Sequence, residues 1–227
     1  MVSLKTQPSG SEVVINKETK KPQRQKEIQE MAQQSKAAEI EIIPPKDIWV
    51  GNTKAPVKLV MYGDYESEAC AKANEVVNEL LEKYEDKVQF NFRHFPLTRI
   101  HQRAQKAAEA SVAAAQEGKF WPMHNILFAN RRNLGTISLK GYAKEIGVTD
   151  KNFLPKLVDS VFGWSVRADL LEGADKGIRD VPFFYINGEA YKGPVNVNGF
   201  SKVIDPLTKT MKKVAAKTPV KAAKKRA

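Results

Sequence analysis

Cysteine is nearly absent from this sequence, which contains only one residue of that type, Cys70. A single cysteine cannot form a disulfide within one chain, so the disulfide-stabilised scaffolds of small secreted proteins are excluded. The sequence also lacks any apolar run of the roughly 18 residues that a transmembrane helix requires. We therefore expect no membrane span and a domain that is stabilised by its apolar core alone.

The beginning of the sequence is poor in large apolar side chains. Residues 1–20 lack the apolar segment of a secretory signal peptide, which predicts a cytoplasmic protein. Residues 1–46 as a whole are interpreted as a flexible charged arm, within which residues 22–41 are a candidate helix. The apolar stripe of that helix is too thin to fold alone, because nucleating an isolated helix is costly.

Acidic residues are absent from the end of the sequence, where residues 209–227 carry eight of the Lys and Arg residues. The net charge of +11 belongs largely to this segment. Such a tail has little apolar surface to bury, so we predict that it is disordered. It either aids solubility or binds a polyanion, which is nucleic acid or an anionic membrane face. Because the tail lacks aromatic residues, binding to nucleic acid would be non-specific and salt-sensitive.

The centre of the chain begins with a strand–helix–strand pattern. Residues 56–62 are β-prone, residues 67–84 carry apolar side chains at helical spacing, and residues 88–93 alternate as a half-buried strand does. A strand, helix and strand of this length form a βαβ unit with a parallel strand pair. The main domain is placed at residues 47–208.

A helical block follows at about residues 101–177, and β character then returns. The predicted helices lie at residues 104–115, 120–129, 139–146, 150–161 and 165–176. Residues 182–186 form a strand, and Asn187-Gly188 is a strong signal for a two-residue hairpin turn. A last helix covers about residues 198–214, and Pro206 is predicted to end or kink it. The order βαβ, helical insertion, ββα predicts an α/β thioredoxin-like fold.

Five short motifs identify the stretch from Gly51 to Gly193 as similar to the DsbA-like thioredoxin family, whose members are thiol–disulfide oxidoreductases. They are Gly51-Asn52-x-x-Ala55-Pro56-Val57, Gly63-Asp64-Tyr65-Glu66, Arg93-His94-Phe95-Pro96-Leu97, Gly118-Lys119-Phe120-Trp121-x-Met123-His124 and Val181-Pro182-x-Phe184-x-Ile186-Asn187-Gly188. The resemblance implies that the Val181–Pro182 peptide is cis. It also implies that Val181 and Pro182 bind extended peptide substrates opposite the redox helix, by strand addition.

The sequence departs from this family where the chemistry is expected. The family has Cys-x-x-Cys at the start of the first helix, whereas this chain has Ser67-Glu68-Ala69-Cys70. Thiol–disulfide exchange needs a thiolate nucleophile, which a serine hydroxyl cannot replace. Ser67 is interpreted as a helix N-cap or as a group that positions a bound thiol, and Cys70 as a packing residue or a thiol that forms mixed disulfides.

Other polar residues near these motifs have two interpretations each. Asp64 and Glu66 are either solvated loop acids or groups that tune the charge of the redox helix. His94, His101 and His124 invite a metal or catalytic-base interpretation, but their spacing is not that of a metal site, and we interpret them as structural. No metal is predicted.

Three functions remain open at this point. In the first, dithiol exchange is impaired and the chain binds peptide or protein thiols in the groove of Ser67, Cys70 and Val181-Pro182. In the second, suggested by analogy of fold, glutathione is a cofactor whose thiolate Ser67 hydrogen-bonds in a transferase-like enzyme. In the third, the fold is a scaffold whose charged ends bind nucleic acid or an assembly.

Overall fold

The computed structural model describes residues 42–215, with side chains described as far as residue 209. The strands and helices of this part, in chain order, are β1 (Trp49–Gly51), β2 (Val57–Gly63), α1 (Glu68–Tyr84), β3 (Val88–His94), α2 (Ala104–Ala115), α3 (Phe120–Ala129), α4 (Thr136–Glu145), α5 (Phe153–Val158), α6 (Gly163–Asp175), β4 (Phe183–Ile186), β5 (Glu189–Ala190) and α7 (Val197–Ala215). None of these helices is long and apolar enough to cross a bilayer.

The described strands form one mixed sheet in the order β1-β3-β2-β4-β5. The pair β2–β3 is parallel and is joined through α1, as the predicted βαβ unit requires, while the β1–β3, β2–β4 and β4–β5 pairs are antiparallel. Helices α2 to α6 are inserted between β3 and β4. The predicted thioredoxin-like fold with a helical insertion is therefore confirmed, and β1 is a strand that the sequence did not predict.

The interior strand β3 is buried along its whole length, so the predicted half-buried strand is wrong. Its apolar side chains face the core, and its polar ones are covered from the opposite side. Asn91 donates from Nδ2 to the carbonyl oxygens of Pro45 and Ile48, and Arg93 donates to the carboxylate of Asp169 on α6. Alternation in a strand shows which residues share a face but not whether another segment covers that face.

The hairpin between β4 and β5 forms at Asn187-Gly188 as predicted. Both residues have positive φ, 51° and 88°, which is the geometry that favours Asn-Gly in two-residue turns. Asn187 also accepts from the backbone N–H of Lys58 through Oδ1 at 2.7 Å, which ties the turn to β2.

Helix α7 passes through Pro206 and continues to Ala215, so Pro206 does not end the helix, and the alternative of a kink there stays a prediction. Contacts with α1 support the helix before the proline, since Tyr84 donates to Asp205 Oδ1 at 2.7 Å and Lys83 donates to Ser201 Oγ at 2.8 Å. The predicted disordered tail is wrong for residues 209–215, which are helical and rich in the good helix formers Lys, Met and Ala. The rest of that tail, residues 216–227, lies outside the described residues.

Residues 42–46 do not belong to the predicted arm. A short 3-10 helix covers Pro45–Asp47 with Pro45 buried, and Ile43 donates its backbone N–H to Gln116 Oε1 at 3.0 Å. Residues 42–46 are thus part of the domain, because they cover the polar face of β3. Residues 1–41, including the candidate helix at 22–41, lie outside the described residues.

Candidate functional site at the start of helix α1

Two predicted segments meet at one edge of the sheet. Strand β2 ends at Gly63 and leads into the loop before α1, while β4 begins at Phe183, directly after Val181 and Pro182. Because β2 and β4 are antiparallel, with Tyr62 opposite Phe183, the end of one strand lies beside the start of the other. The topology therefore places the Ser67 loop next to Val181–Pro182, as the resemblance implies.

Ser67 is the N-cap of α1. Its backbone is extended, with φ −73° and ψ 126°, and its Oγ accepts from the backbone N–H of Cys70 at 3.3 Å. This bond satisfies one of the N–H groups that a helix start leaves without a partner, which is the capping role predicted from the sequence. The residue is only 6% exposed.

Cys70 lies in the first turn of α1 and is completely buried. Its Sγ accepts from the backbone N–H of Asp64 at 3.4 Å. Burial raises the pKa of the Cys70 thiol to about 11, because the thiolate would lose its hydration, and the nearby hydroxyl of Ser67 offsets only part of that effect. The sulfur is therefore a protonated thiol at neutral pH, and thiols in this form are poor nucleophiles.

Asp64 is buried, with 2% exposure, so its interpretation as a solvated loop acid is wrong. Its Oδ1 accepts from the backbone N–H of Glu66 at 2.7 Å. Its Oδ2 accepts from the backbone N–H of Leu97 at 2.8 Å and lies 2.9 Å from Nδ1 of His101. One carboxylate thus fixes the loop before α1 and joins it to the segment after β3.

The opposite side of the site consists of Val181 and Pro182, whose peptide bond is cis. Val181 is buried, and its backbone N–H donates to the side chain of Asp180 at 2.9 Å. The β2–β4 ladder ends at Phe183, so the backbone of Val181 lies beyond it. The negative charge of Asp180 is close enough to disfavour a thiolate at Cys70, a contribution that no spacing in the sequence predicts.

The three histidines do not form one cluster, because only His94 and His124 share neighbours, among them Tyr65 and Phe92. His101 bonds to Asp64 beside the site, whereas His94 and His124 lie in the buried core. His124 is 3.1 Å from the hydroxyl of Tyr65 and 2.8 Å from the side-chain oxygen of Asn74. Within residues 42–209, no three side chains of the His, Cys, Asp or Glu type are grouped to hold a metal ion.

Comparison with known proteins agrees with this architecture. Residues 44–206 match a family model described as thioredoxin. The Na⁺/H⁺ antiporter NhaA 3 of Salinispora tropica is 34% identical over 165 residues, which are 73% of this chain and 25% of that protein. The chain therefore spans about a quarter of the length of the curated relatives that it matches.

Two solved structures share the fold. Oxidised BdbD from Bacillus subtilis is 22% identical and superposes with a TM-score of 0.66, covering 73% of this chain and 93% of that one. The thiol–disulfide exchange protein α-DsbA2 from Wolbachia pipientis is 21% identical with a TM-score of 0.62, covering 82% and 98%. The chain belongs to the thioredoxin family and has the DsbA-like fold, with helices inserted between the parallel strand pair and the terminal hairpin.

Proposed function

We propose that this chain binds extended peptides and protein thiols between the Ser67 loop and Val181–Pro182, and that it does not catalyse dithiol–disulfide exchange. Family membership supports the first half of the proposal. One observation carries the second half: the site has one sulfur, that of Cys70, and it is buried with a raised pKa.

The chemistry of exchange explains why this observation matters. A thiolate attacks a disulfide sulfur, a mixed disulfide forms, and a second thiolate of the same site releases it. In the family the first thiolate lies where this chain has Ser67, at a helix N-terminus that favours negative charge. Ser67 supplies an alcohol there, and Cys70 lies behind it in the first turn, so neither residue provides an accessible thiolate at neutral pH.

Peptide binding does not need the missing cysteine. Strand addition uses backbone N–H and C=O groups, and side-chain pockets on the receiving surface add specificity. The backbone of Val181 lies beyond the β2–β4 ladder at the sheet edge that faces the Ser67 loop. The same surface thus supports non-covalent binding of an extended segment of a client protein.

An insulin reduction assay with dithiothreitol tests the loss of exchange. The wild-type chain is expected to leave the uncatalysed rate unchanged, and Ser67→Cys is expected to accelerate the reaction because it restores two sulfurs at the site. The matched control is Ser67→Cys with Cys70→Ser, which returns the site to one cysteine and is expected to lose turnover. Catalysis by the wild-type chain at the rate of Ser67→Cys would refute the proposal.

Peptide binding is tested separately by NMR with two extended peptides that differ only in Cys against Ser. Both peptides are expected to shift the backbone amides of residues 64–67, Asp180 and Val181 by similar amounts, because the proposed contact is non-covalent. Saturable shifts confined to other surfaces, or no shifts at all, contradict the proposed groove. Binding of the Cys peptide alone would show that the contact depends on the peptide thiol, and it would contradict the proposed binding through the peptide backbone.

A further inference from the structure

A cavity lies on the face of the sheet that carries Trp49, Val60 and Tyr185. Its volume is about 570 Å³, and we call it the lysine–aromatic pocket. One row of paired residues crosses four strands under this cavity. In the order β1, β3, β2, β4 its members are Trp49, Asn91, Val60 and Tyr185. The complete lining is Lys46, Trp49, Ala55, Pro56, Lys58, Val60, Tyr62, Asn91, Arg93, Lys176, Tyr185, Asn187 and Gly188.

The charges that line this pocket have one sign. Four of the lining residues are Lys or Arg, and none is acidic. Arg93 and Lys176 already pair with Glu172, which lies outside the lining. Lys46 and Lys58, in contrast, form no ion pair with any described residue, so their charges are available to an anion.

Aromatic rings lie beside these cations. The Nζ of Lys58 is 5.8 Å from the ring centroid of Trp49, and the Nζ of Lys176 is 5.3 Å from that of Tyr185 and 5.6 Å from that of Tyr62. Such cation–π contacts hold an ammonium group over the face of the ring without neutralising its charge. A ligand that enters the pocket therefore meets flat aromatic surfaces and uncompensated positive charge together.

We propose that the lysine–aromatic pocket binds a small aromatic anion, a molecule with a planar ring and a phosphate or carboxylate group. The anionic group would lie between the ammonium groups of Lys46 and Lys58, and the ring would pack against Trp49 or Tyr185. The volume is within the range of roughly 300–1,000 Å³ that is typical of small-molecule sites. The pocket shares no residue with Ser67, Cys70, Val181 or Pro182, so this proposal is independent of the proposed function.

Titration with phenyl phosphate, followed by ¹H–¹⁵N NMR, tests the proposal on the full chain. Saturable shifts are expected at the Trp49 indole and at the amides of Lys58 and Tyr185. Lys58→Gln is expected to weaken binding about tenfold, the loss that follows from removing one charge-assisted contact. Lys58→Arg should retain binding, and Lys140→Gln is the matched control because it removes an exposed charge from the distant helix α4.

Two further ligands separate the contributions of ring and charge. Inorganic phosphate lacks the ring and phenol lacks the charge, and each is expected to bind more weakly than phenyl phosphate. Equal binding of inorganic phosphate would overturn the aromatic part of the proposal, and equal binding of phenol would overturn the anionic part. Absence of saturable shifts at Trp49, or the same loss of affinity for Lys58→Gln and Lys140→Gln, would overturn it as a whole.

Discussion

Lowering the pH from 7 to 5 is expected to destabilise the folded domain, because two histidines are held neutral in its core. His94 and His124 are each 1% exposed. Burial lowers the pKa of both imidazoles to about 3, since a charged ring would lose its hydration there. In the unfolded chain the same rings have a pKa near 6.5 and take up protons below that value.

The sign and the size of the effect follow from proton linkage. Below pH 6.5 the unfolded state binds protons that the folded state does not, so stability is present above that pH and is lost as the pH falls from 6.5 towards 3. Integrated from pH 7 to pH 5, each of His94 and His124 contributes a loss of about 2 kcal/mol. Two such groups together remove about 4 kcal/mol, a large share of typical domain stability.

One buried carboxyl opposes this loss. Burial raises the pKa of Asp169 to about 6, although Arg93 favours its ionised form. The folded state therefore binds a proton at Asp169 more readily than the unfolded state does. Between pH 7 and pH 5 this difference raises the free energy of unfolding by about 1 kcal/mol and so offsets part of the loss from the histidines. The net loss in the free energy of unfolding is about 2–3 kcal/mol. Divided by a typical m value for urea, this loss lowers the urea concentration at the unfolding midpoint by about 1 M.

The assay is urea unfolding followed by circular dichroism at both pH values. His124→Gln is the informative variant, because it removes one buried imidazole and leaves His94 and Asp169 in place. Its midpoint should change with pH less than half as much as that of the wild-type chain, whatever its stability at pH 7. Equal midpoints at pH 7 and pH 5 for the wild-type chain would refute the assignment of neutral buried histidines.

Four further predictions concern the site and the tail. Cys70 should react with Ellman's reagent at least tenfold more slowly in the folded chain than in guanidinium, because it is buried and protonated; equal rates would show an accessible thiol. Ser67→Ala should lower the free energy of unfolding by about 1 kcal/mol through loss of the N-cap. The same variant should leave any weak glutathione affinity unchanged in calorimetry, whereas the transferase alternative requires that affinity to disappear. Deleting residues 216–227 should reduce retention on heparin at low salt, since they carry uncompensated positive charge, and unchanged retention would exclude polyanion binding by the tail.

The helices of the insertion were the most predictable part of the fold. The bounds of α2 and α3 agree with the sequence-based prediction, because a continuous apolar or alanine-rich face gives a strong helical pattern. The hairpin was equally clear, since Asn187-Gly188 has a specific backbone requirement. These features depend on interactions within a few residues, which a local pattern records.

The features that escaped prediction depend on distant segments. Strand β1 has three residues, too few for a periodic pattern. The burial of β3 results from coverage by Pro45–Asp47 and α6, and neither cover is visible in the alternation of β3 itself. The continuation of α7 through Pro206 depends on packing against α1, which outweighs the loss of one backbone hydrogen bond.

The candidate site combines both kinds of feature. The family resemblance implied that the Ser67 loop and Val181–Pro182 face each other, and the antiparallel β2–β4 pair places the end of β2 beside the start of β4. The chemistry of this sheet edge is set instead by Asp64, whose partners Leu97 and His101 come from beyond β3. Asp64 holds the loop in place and directs its backbone N–H at the sulfur of Cys70. Restoring a cysteine at position 67 therefore places a thiol on a loop that is already fixed, and for this reason a single substitution is expected to restore exchange.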